Sequence, residues 1–291
     1  MAEIFKRKWG EYGAGDGQLD NPAGITVYGS EVFVADTGNN RIQVFDLAGV
    51  YLRQWGSYGA GDGELGYPFG IAVSGDEVFV ADSENNRIQV FDLVGAFKRK
   101  WGEYGVGDGQ FDRPDGIDIY NSEVFVADRQ NHRMQVFDLA GAFKRKWGEY
   151  GVGDGQFDQP FGVAVSGEVF VSDSYDSDRI QVFDLVGAFK RKWGEYGAGD
   201  GQFDDPRDIA VSGSEVFVAD RRNNRIQVFD LAGVYKRQWG ESGVGDGQFG
   251  RPVGINIYNS EVFVADTGNN RIQVFGPEAV TGAHALLMKV G

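Results

Sequence analysis

Short apolar segments alternate with turn residues along most of the chain. Near the N-terminus, segments rich in Val, Ile, Phe and Tyr occupy positions 24–28, 31–36, 41–46 and 50–55. Clusters of Gly, Asn, Asp and Ser separate these segments, and no helical period is present. Segments of this length and composition, bounded by turn residues, predict β-strands joined by tight turns. The chain is therefore expected to be all-β.

The apolar residues of the predicted strands point to both faces of a sheet. Val32 and Phe33 are neighbours in the second segment, and Ile42 and Phe45 have opposite parity in the third. Strands with apolar residues of both parities suit a sheet that is covered on both sides. The sheets should therefore stack face to face.

The same group of four segments recurs six times with a period of 46 residues. All six tryptophans and six of the seven prolines keep this spacing, and the units start near Phe5, Tyr51, Phe97, Phe143, Phe189 and Tyr235. Four-stranded sheets that repeat in this way cover one another when they are arranged radially. The period predicts a single-domain six-bladed β-propeller of antiparallel blades over residues 1–275, followed by a C-terminal tail, residues 276–291.

The two ends of the chain predict how the ring closes. The chain begins with an outer-strand segment, residues 4–9, whereas the third strand of the sixth unit, residues 271–275, is followed by Gly276-Pro277 instead of a fourth strand. The N-terminal strand should therefore pair in the last blade and complete it.

The repeated unit resembles the NHL repeat. The third unit shows the motifs that carry this resemblance: Asp-Gly-Gln-Phe at 108–111, Pro-Asp-Gly-Ile at 114–117, Val-Phe-Val-Ala-Asp at 124–128 and Arg-Met-Gln-Val-Phe-Asp at 133–138. The resemblance implies a six-bladed propeller. Relatives of this fold serve as protein- or RNA-binding platforms and sensor ectodomains, and related propellers include metal-dependent lyases and lactonases. A fold by itself does not choose among such functions.

The composition of the chain excludes several kinds of catalytic and metal-binding site. The chain has no cysteine and only two histidines, so it has no thiolate zinc ligand and no cysteine nucleophile. His132 and His284 occupy unrelated positions, so neither a histidine-based zinc site nor a Ser-His-Asp triad is expected. We therefore predict a protein that is not an enzyme and has no cofactor. The net charge of −15 opposes DNA binding, and no run of 18 apolar residues predicts a membrane span.

A metal site in the central channel is a weak alternative. Asp118, Asp208 and Asn256 lie on predicted innermost strands and could offer oxygen atoms to a hard cation, as lactonase-like propellers do. Calcium takes about six to eight oxygen ligands, and the remaining blades supply no acid at these positions. We therefore predict no metal site.

The residues that differ between units concentrate in two stretches. One is the position after the repeated proline, and the other follows the aspartate that ends the second strand. Both should lie at the same end of the blades, with two exposed phenylalanines. The binding-face candidates are Phe69, Asp115, Phe161, Arg207, Arg221, Arg222, Arg129, Tyr175 and Arg251. Aromatic and arginine side chains on one surface are typical of protein-interaction sites. Tolerated loop residues around a channel mouth are the alternative interpretation.

These observations favour a monomeric, non-enzymatic scaffold that binds a protein or peptide rather than RNA, and neither DNA nor a membrane. Residues 97–112 recur unchanged as 143–158. One alternative is therefore an engineered or recently amplified repeat protein without an evolved ligand. Another is an RNA-binding platform, because RNA recognition uses stacking on aromatic side chains and arginine contacts to phosphate. A hydrolase or lyase with a metal in its channel is the third.

Overall fold

The computed structural model describes residues 3–277, which form twenty-four β-strands in six four-stranded antiparallel sheets. Each sheet is one blade of a six-bladed propeller, as the 46-residue period predicts. The last strand continues through Pro277, and the rest of the predicted tail, residues 278–291, lies outside the described residues.

The strands of each blade are given in order from the innermost to the outermost. Blade 1 consists of β2 Pro22–Tyr28, β3 Glu31–Asp36, β4 Arg41–Asp46 and β5 Tyr51–Trp55. Blade 2 consists of β6 Pro68–Ser74, β7 Glu77–Asp82, β8 Arg87–Asp92 and β9 Phe97–Trp101. Blade 3 consists of β10 Pro114–Tyr120, β11 Glu123–Asp128, β12 Arg133–Asp138 and β13 Phe143–Trp147.

The second half of the chain repeats this order and returns to the N-terminus. Blade 4 consists of β14 Gln159–Val165, β15 Val169–Ser174, β16 Arg179–Phe183 and β17 Phe189–Trp193. Blade 5 consists of β18 Pro206–Ser212, β19 Glu215–Asp220, β20 Arg225–Asp230 and β21 Tyr235–Trp239. Blade 6 consists of β22 Ile255–Tyr258, β23 Glu261–Asp266, β24 Arg271–Pro277 and β1 Glu3–Trp9.

Strand β1 closes the ring, as predicted from the chain ends. It pairs antiparallel with β24, and the register runs from Glu3 opposite Pro277 to Trp9 opposite Ile272. Arg7 adds a two-pronged hydrogen bond to Glu261 on β23, with N···O distances of 2.9 and 2.7 Å. The first and last segments of the described chain therefore share one sheet.

The hydrophobic core lies between the blades. Each cluster of buried side chains combines two neighbouring blades, such as Phe79 and Val90 of blade 2 with Phe111 and Val124 of blade 3. The repeated tryptophans join the same interfaces: Trp101 contacts Phe79 and Phe137, with ring centroids 6.3 and 5.7 Å apart. Both faces of a sheet are thus buried, as the two-parity pattern predicts.

A buried aspartate–arginine pair ties the second and third strands of every blade. In blade 5, Asp220 Oδ2 accepts hydrogen bonds from Arg225 Nε at 2.7 Å and from Gln227 Nε2 at 3.1 Å. The Arg225 Nη groups donate to carbonyl oxygens of the preceding loop, residues 198–202. The same pair recurs in all six blades, and we call it the brace.

Helical structure is limited to three single turns of 3-10 helix in residues 3–277. They follow the second strands of blades 1, 3 and 6, at Thr37–Asn39, Arg129–Asn131 and Thr267–Asn269. None of these turns is long or apolar enough to cross a membrane. Blade 4 has a longer turn at this place, because six residue steps rather than five separate Asp173 from Arg179.

Candidate functional site

The two variable stretches of the sequence share one end of the propeller. In blade 1, Pro22 at the start of the innermost strand is paired with Asp36 at the end of the second strand. The turn after Asp36 therefore lies beside the residue that follows the proline. We call this end of the ring, where innermost strands begin and second strands end, the loop face.

A cavity of about 310 Å³ opens at the centre of the loop face. We call it the mouth cavity. The predicted residues that line it are Phe69, Asp115, Arg129, Phe161, Arg207 and Arg221. Residues of four different blades, 2 to 5, thus meet in one depression.

Side chains at the floor of the mouth cavity separate it from the central channel, and we call this layer the plug. Phe69, Phe161, Arg207 and Val253 line the mouth and also a small void of about 30 Å³ beneath it. The inner backbones are close together at this level, since a Cβ at Gly70 would collide with the carbonyl oxygen of Asp115.

The prediction of two exposed phenylalanines was wrong. Phe161 is only 2% exposed, and Phe69 is half-buried. Their ring centroids lie 6.3 Å apart, and the Arg207 guanidinium carbon lies 3.4 Å from the centroid of Phe161. Burial of both rings comes from residues of other blades, which a reading of one repeat at a time does not reveal.

Two arginines of blade 5 converge on a single buried carboxylate. Asp205 Oδ2 accepts hydrogen bonds from Arg207 Nη2 at 2.9 Å and from Arg221 Nη1 at 2.6 Å. Burial raises the pKa of Asp205, but the two arginines outweigh this effect and hold the pKa below its ordinary value. Burial also lowers the pKa of Arg207. These guanidinium groups are therefore held in fixed positions at the cavity wall.

A second ion pair lies in blade 3. Arg129 Nε is 2.5 Å from Asp115 Oδ2, and the Arg129 guanidinium carbon lies 4.9 Å from the Phe161 ring centroid. Asp115 is 2% exposed, and burial raises its pKa despite the nearby Arg129 and Arg207. The carboxylate of Asp115 is thus committed to Arg129 rather than presented to solvent.

The other three candidates lie away from the mouth cavity. Tyr175 and Arg222 line a separate cavity of about 500 Å³, which also contains Asp176 and Asp204. Arg251 is exposed and lines neither cavity; its backbone N–H donates to Asn224 Oδ1 at 2.8 Å. The structure therefore brings six of the nine predicted residues together.

Sequence reasoning missed a hydrogen bond between blades. The hydroxyl of Thr37 donates to the carbonyl oxygen of Pro68 at 2.7 Å, and Ser83 donates to that of Pro114 at 2.6 Å. Ser174 and Thr267 occupy the same place in blades 4 and 6. Blades 3 and 5 have arginine here instead, and these side chains reach the mouth. Alternation of Thr or Ser with Arg at this position was the available sequence clue.

The channel candidates lie below the plug. Asp118, Asp208 and Asn256 line a cavity of about 260 Å³. Asp118 accepts hydrogen bonds from the N–H groups of Ile119 and Val165, and Asp208 accepts from those of Ile209 and Ile255. Each carboxylate thus connects its own innermost strand to the next blade.

The donor set of the channel does not fit a hard cation. Asn256 Oδ1 is used like the two carboxylates, since it accepts from Val27 N–H at 3.2 Å. Desolvation raises the pKa of Asp118 to about 6 and that of Asp208 to about 7, with a further increase for Asp208 from Asp118. Within residues 3–277, no group of three or more acids and histidines has a metal-binding arrangement.

Comparisons with known proteins match the repeat. The model of the NHL repeat matches residues 19–45, 65–91 and 203–229. The B-box type zinc finger protein ncl-1 of Caenorhabditis elegans is 49% identical over 47 residues, which are 16% of this chain and 6% of that protein. Protein brain tumor of Drosophila melanogaster is 45% identical over 47 residues, which are 16% of this chain and 4% of that protein. The chain thus spans a small part of these curated relatives.

Solved structures match the fold over most of the chain. A protein of unknown function from Bacteroides thetaiotaomicron has a TM-score of 0.74 at 14% identity, covering 94% of this chain and 76% of that one. A gluconolactonase of Xanthomonas campestris has a TM-score of 0.68 at 15% identity, and the match covers 90% of this chain and 87% of that one. Virginiamycin B lyase of Staphylococcus aureus has a TM-score of 0.61 at 14% identity, and the match covers 88% of this chain and 95% of that one. The matched repeats and the closed ring of six blades together show a six-bladed β-propeller that contains NHL repeats.

Proposed function

We propose that this propeller is a non-enzymatic scaffold that binds a protein or peptide at the loop face, with the mouth cavity as the central contact. One observation carries the proposal. Six near-identical blades place a highly variable position, the residue after the proline, around a single cavity. The sequence is uniform where it supports the fold and differs where it lines this depression.

The chemistry of the mouth cavity supports a peptide ligand. Phe69 supplies an apolar contact at the floor, and Arg113, Arg207 and Arg221 supply hydrogen-bond donors on the wall. Aromatic and arginine residues in a concave, partly desolvated site contribute a large share of binding energy in protein interfaces. A cavity of about 310 Å³ has room for one or two side chains, so most of the partner would rest on the surrounding loops.

A catalytic function has less support from the site. Gluconolactonase and virginiamycin B lyase have the same fold at 14–15% identity, and a likeness of this degree extends to the fold alone. The mouth cavity has no histidine in its lining, and the channel acids are bonded to backbone N–H groups.

RNA is the second candidate ligand, because four arginines line the cavity. The net charge of −15 opposes a polyanion beyond the mouth itself. Affinity for RNA would also fall steeply with salt, since each phosphate contact releases counterions.

Affinity capture from lysate tests the proposal. The immobilised full chain is compared with the double variant Arg207→Ala, Arg221→Ala and with the control Lys98→Ala, which removes an exposed basic residue of β9 at the opposite end of the blade. Bound protein and RNA are identified by mass spectrometry and sequencing at 50 and 200 mM salt, with and without nuclease.

We expect a protein partner that survives 200 mM salt and nuclease, is retained by Lys98→Ala and is lost from the double variant. Retention of every partner by the double variant would remove the mouth cavity from the proposal. Loss of every partner on nuclease treatment would favour the RNA platform instead.

A further inference from the structure

The mouth cavity carries a local excess of positive charge. Its lining includes Arg113, Arg129, Arg207 and Arg221, but only two acids, Glu84 and Asp115. Asp115 pairs with Arg129, and Asp205 behind the wall pairs with Arg207 and Arg221, so the four arginines face three acids and one positive charge remains. In a chain with a net charge of −15, such a concentration of arginine marks a place where a negative group is favoured.

The arginines of the cavity wall retain unused donors. A guanidinium group has five N–H bonds. Arg207 donates from Nη2 to Asp205, while its buried Nε has no hydrogen-bond partner within the described residues. Arg221 donates from Nη1 to the same carboxylate oxygen. Because Arg207 Nε is closed to solvent, a ligand would use Arg207 Nη1 and the Nε and Nη2 of Arg221, which make no hydrogen bond within the described residues.

The same arginines are held in place before a ligand arrives. Asp205 Oδ2 bonds both of them, and the Arg207 guanidinium stacks on Phe161. Groups that are already ordered lose little side-chain entropy on binding. Phe69 and Phe161 lie next to these donors, so a negative group and an apolar group can be bound side by side.

We infer that the mouth cavity binds a peptide carboxylate that is adjacent to an apolar side chain. The carboxylate accepts hydrogen bonds from Arg207 and Arg221, and the apolar side chain packs on the half-buried ring of Phe69. This inference rests on the proposed function, since it names the chemistry of the peptide at the same site. The carboxylate is either a C-terminus or the side chain of an Asp or Glu.

A single carboxylate fits the charge pattern better than a polyanion. Acidic residues surround the positive patch: Glu84 lies in the cavity lining, and Asp176 and Asp204 lie in the neighbouring cavity. A ligand with one negative group meets only the arginines, whereas a phosphate chain would extend onto this acidic rim. Planar guanidinium groups also match the geometry of a carboxylate.

Peptide binding to the full chain tests the inference by fluorescence anisotropy. Three dye-labelled hexapeptide pools are compared. The first ends in Phe or Leu with a free carboxylate, the second has the same sequences with a C-terminal amide, and the third is amidated but contains Glu next to Phe or Leu. A uridine-rich RNA hexamer is the polyanion probe.

We expect a carboxylate-bearing pool, the first or the third, to bind roughly tenfold or more tightly than the amidated second pool, as for loss of a charge-assisted hydrogen bond pair. The pool that binds identifies the source of the carboxylate. Arg113→Ala, Arg207→Ala and Arg221→Ala should each weaken this binding, whereas Lys98→Ala, at the opposite end of blade 2, should not. Arg113 is exposed, so its substitution leaves the fold intact.

Other outcomes overturn the inference. Equal binding of all three pools, with loss on Phe69→Ala, would leave the proposed peptide-binding function standing and remove the carboxylate. Tighter binding of the RNA hexamer than of any peptide would contradict both the carboxylate inference and the proposed peptide-binding function. Absence of binding by every pool at millimolar concentration would reject the carboxylate, while the lysate capture decides the proposed function independently.

Discussion

Two arginines of blade 5 have opposite hydrogen-bond states. Arg225, in the brace, donates from Nε, Nη1 and Nη2 to Asp220 and to three carbonyl oxygens, at N···O distances of 2.7 to 2.8 Å. Arg207, at the mouth, donates from Nη2 to Asp205, and its Nε has no partner within the described residues. One side chain is fully used by the fold, and the other is held in place but keeps free donors.

This difference separates structural from binding residues more clearly than residue type does. Brace arginines recur in all six blades, because each must close the same hairpin onto the same loop. Mouth arginines occur in two blades only among the described positions that follow the second-strand aspartate, Arg129 and Arg221. Saturated donors at a repeated position indicate a role in stability, and we expect unsaturated donors at a variable position to contact a ligand.

The largest expected effect is the loss of a brace. Arg225→Ala leaves Asp220 buried without its counter-charge, so the free energy of unfolding should fall by about 3–5 kcal/mol. Equilibrium urea unfolding measures this change. Arg207→Ala is the matched control in the same blade; an equal loss of stability in the control would end the distinction between the two arginines.

The channel carboxylates extend the comparison to acids without an arginine partner. The folded-state pKa of Asp208, about 7, lies above its unfolded value, so the folded state holds a proton that the unfolded state releases. The free energy of unfolding should therefore fall as pH rises from about 4 to 7, by roughly 1 kcal/mol per pH unit from this group.

Asp208→Asn should flatten that part of the stability profile, because the amide does not titrate. The free energy of unfolding of this variant and of the unchanged protein, measured in urea at pH 4, 5, 6 and 7, tests this prediction. Asp118→Asn should act over a lower range, since the Asp118 pKa is about 6. An unchanged pH profile in Asp208→Asn would show that this carboxyl is not the titrating group.

A smaller effect is expected at the hydrogen bond between blades. Thr37→Val keeps the side-chain shape but leaves the Pro68 carbonyl oxygen without its donor, at a cost of about 1 kcal/mol. Thermal unfolding of this variant beside Thr267→Val, which changes the equivalent bond to Pro22, gives the comparison. If neither variant lowers the melting temperature, this hydroxyl contributes nothing to the blade interface.

The smallest stability change is expected at the mouth. Arg207→Ala should cost less than about 1 kcal/mol, because Arg221 still bonds Asp205 and the cost of burying Arg207 is relieved. Its effect should instead be on binding. Urea unfolding measures the stability of this variant, and peptide titration of the same sample measures its affinity. A large loss of stability with unchanged affinity would make Arg207 a structural residue instead of a binding residue.

The fold could be predicted because its cause is periodic. Evenly spaced Trp and Pro, two-parity strands and an unpaired last strand determine six stacked sheets closed by β1, and each of these features can be recognised in the sequence itself. Local pattern and global architecture agree in such a chain, because each blade contacts only its neighbours.

The site could be predicted only in part. The position of the variable residues in the repeat placed Phe69, Asp115 and Arg207 on one face. Their burial could not be predicted, because Phe161 is covered by Arg207 across a full repeat and Asp205 binds Arg221 from the next hairpin. Contacts between blades depend on how far each side chain reaches, and a repeat period does not contain that information.

Site-specific photo-crosslinking tests the central claim most directly. A benzophenone amino acid replaces Tyr67, which lines the mouth cavity, or Asp76, which is exposed in the turn between β6 and β7 at the opposite end of the blade. We predict that a protein partner from lysate crosslinks at position 67 and not at position 76, and that Arg207→Ala abolishes the crosslink. Equal crosslinking at both positions, or a product only at position 76, would contradict a binding site at the mouth cavity.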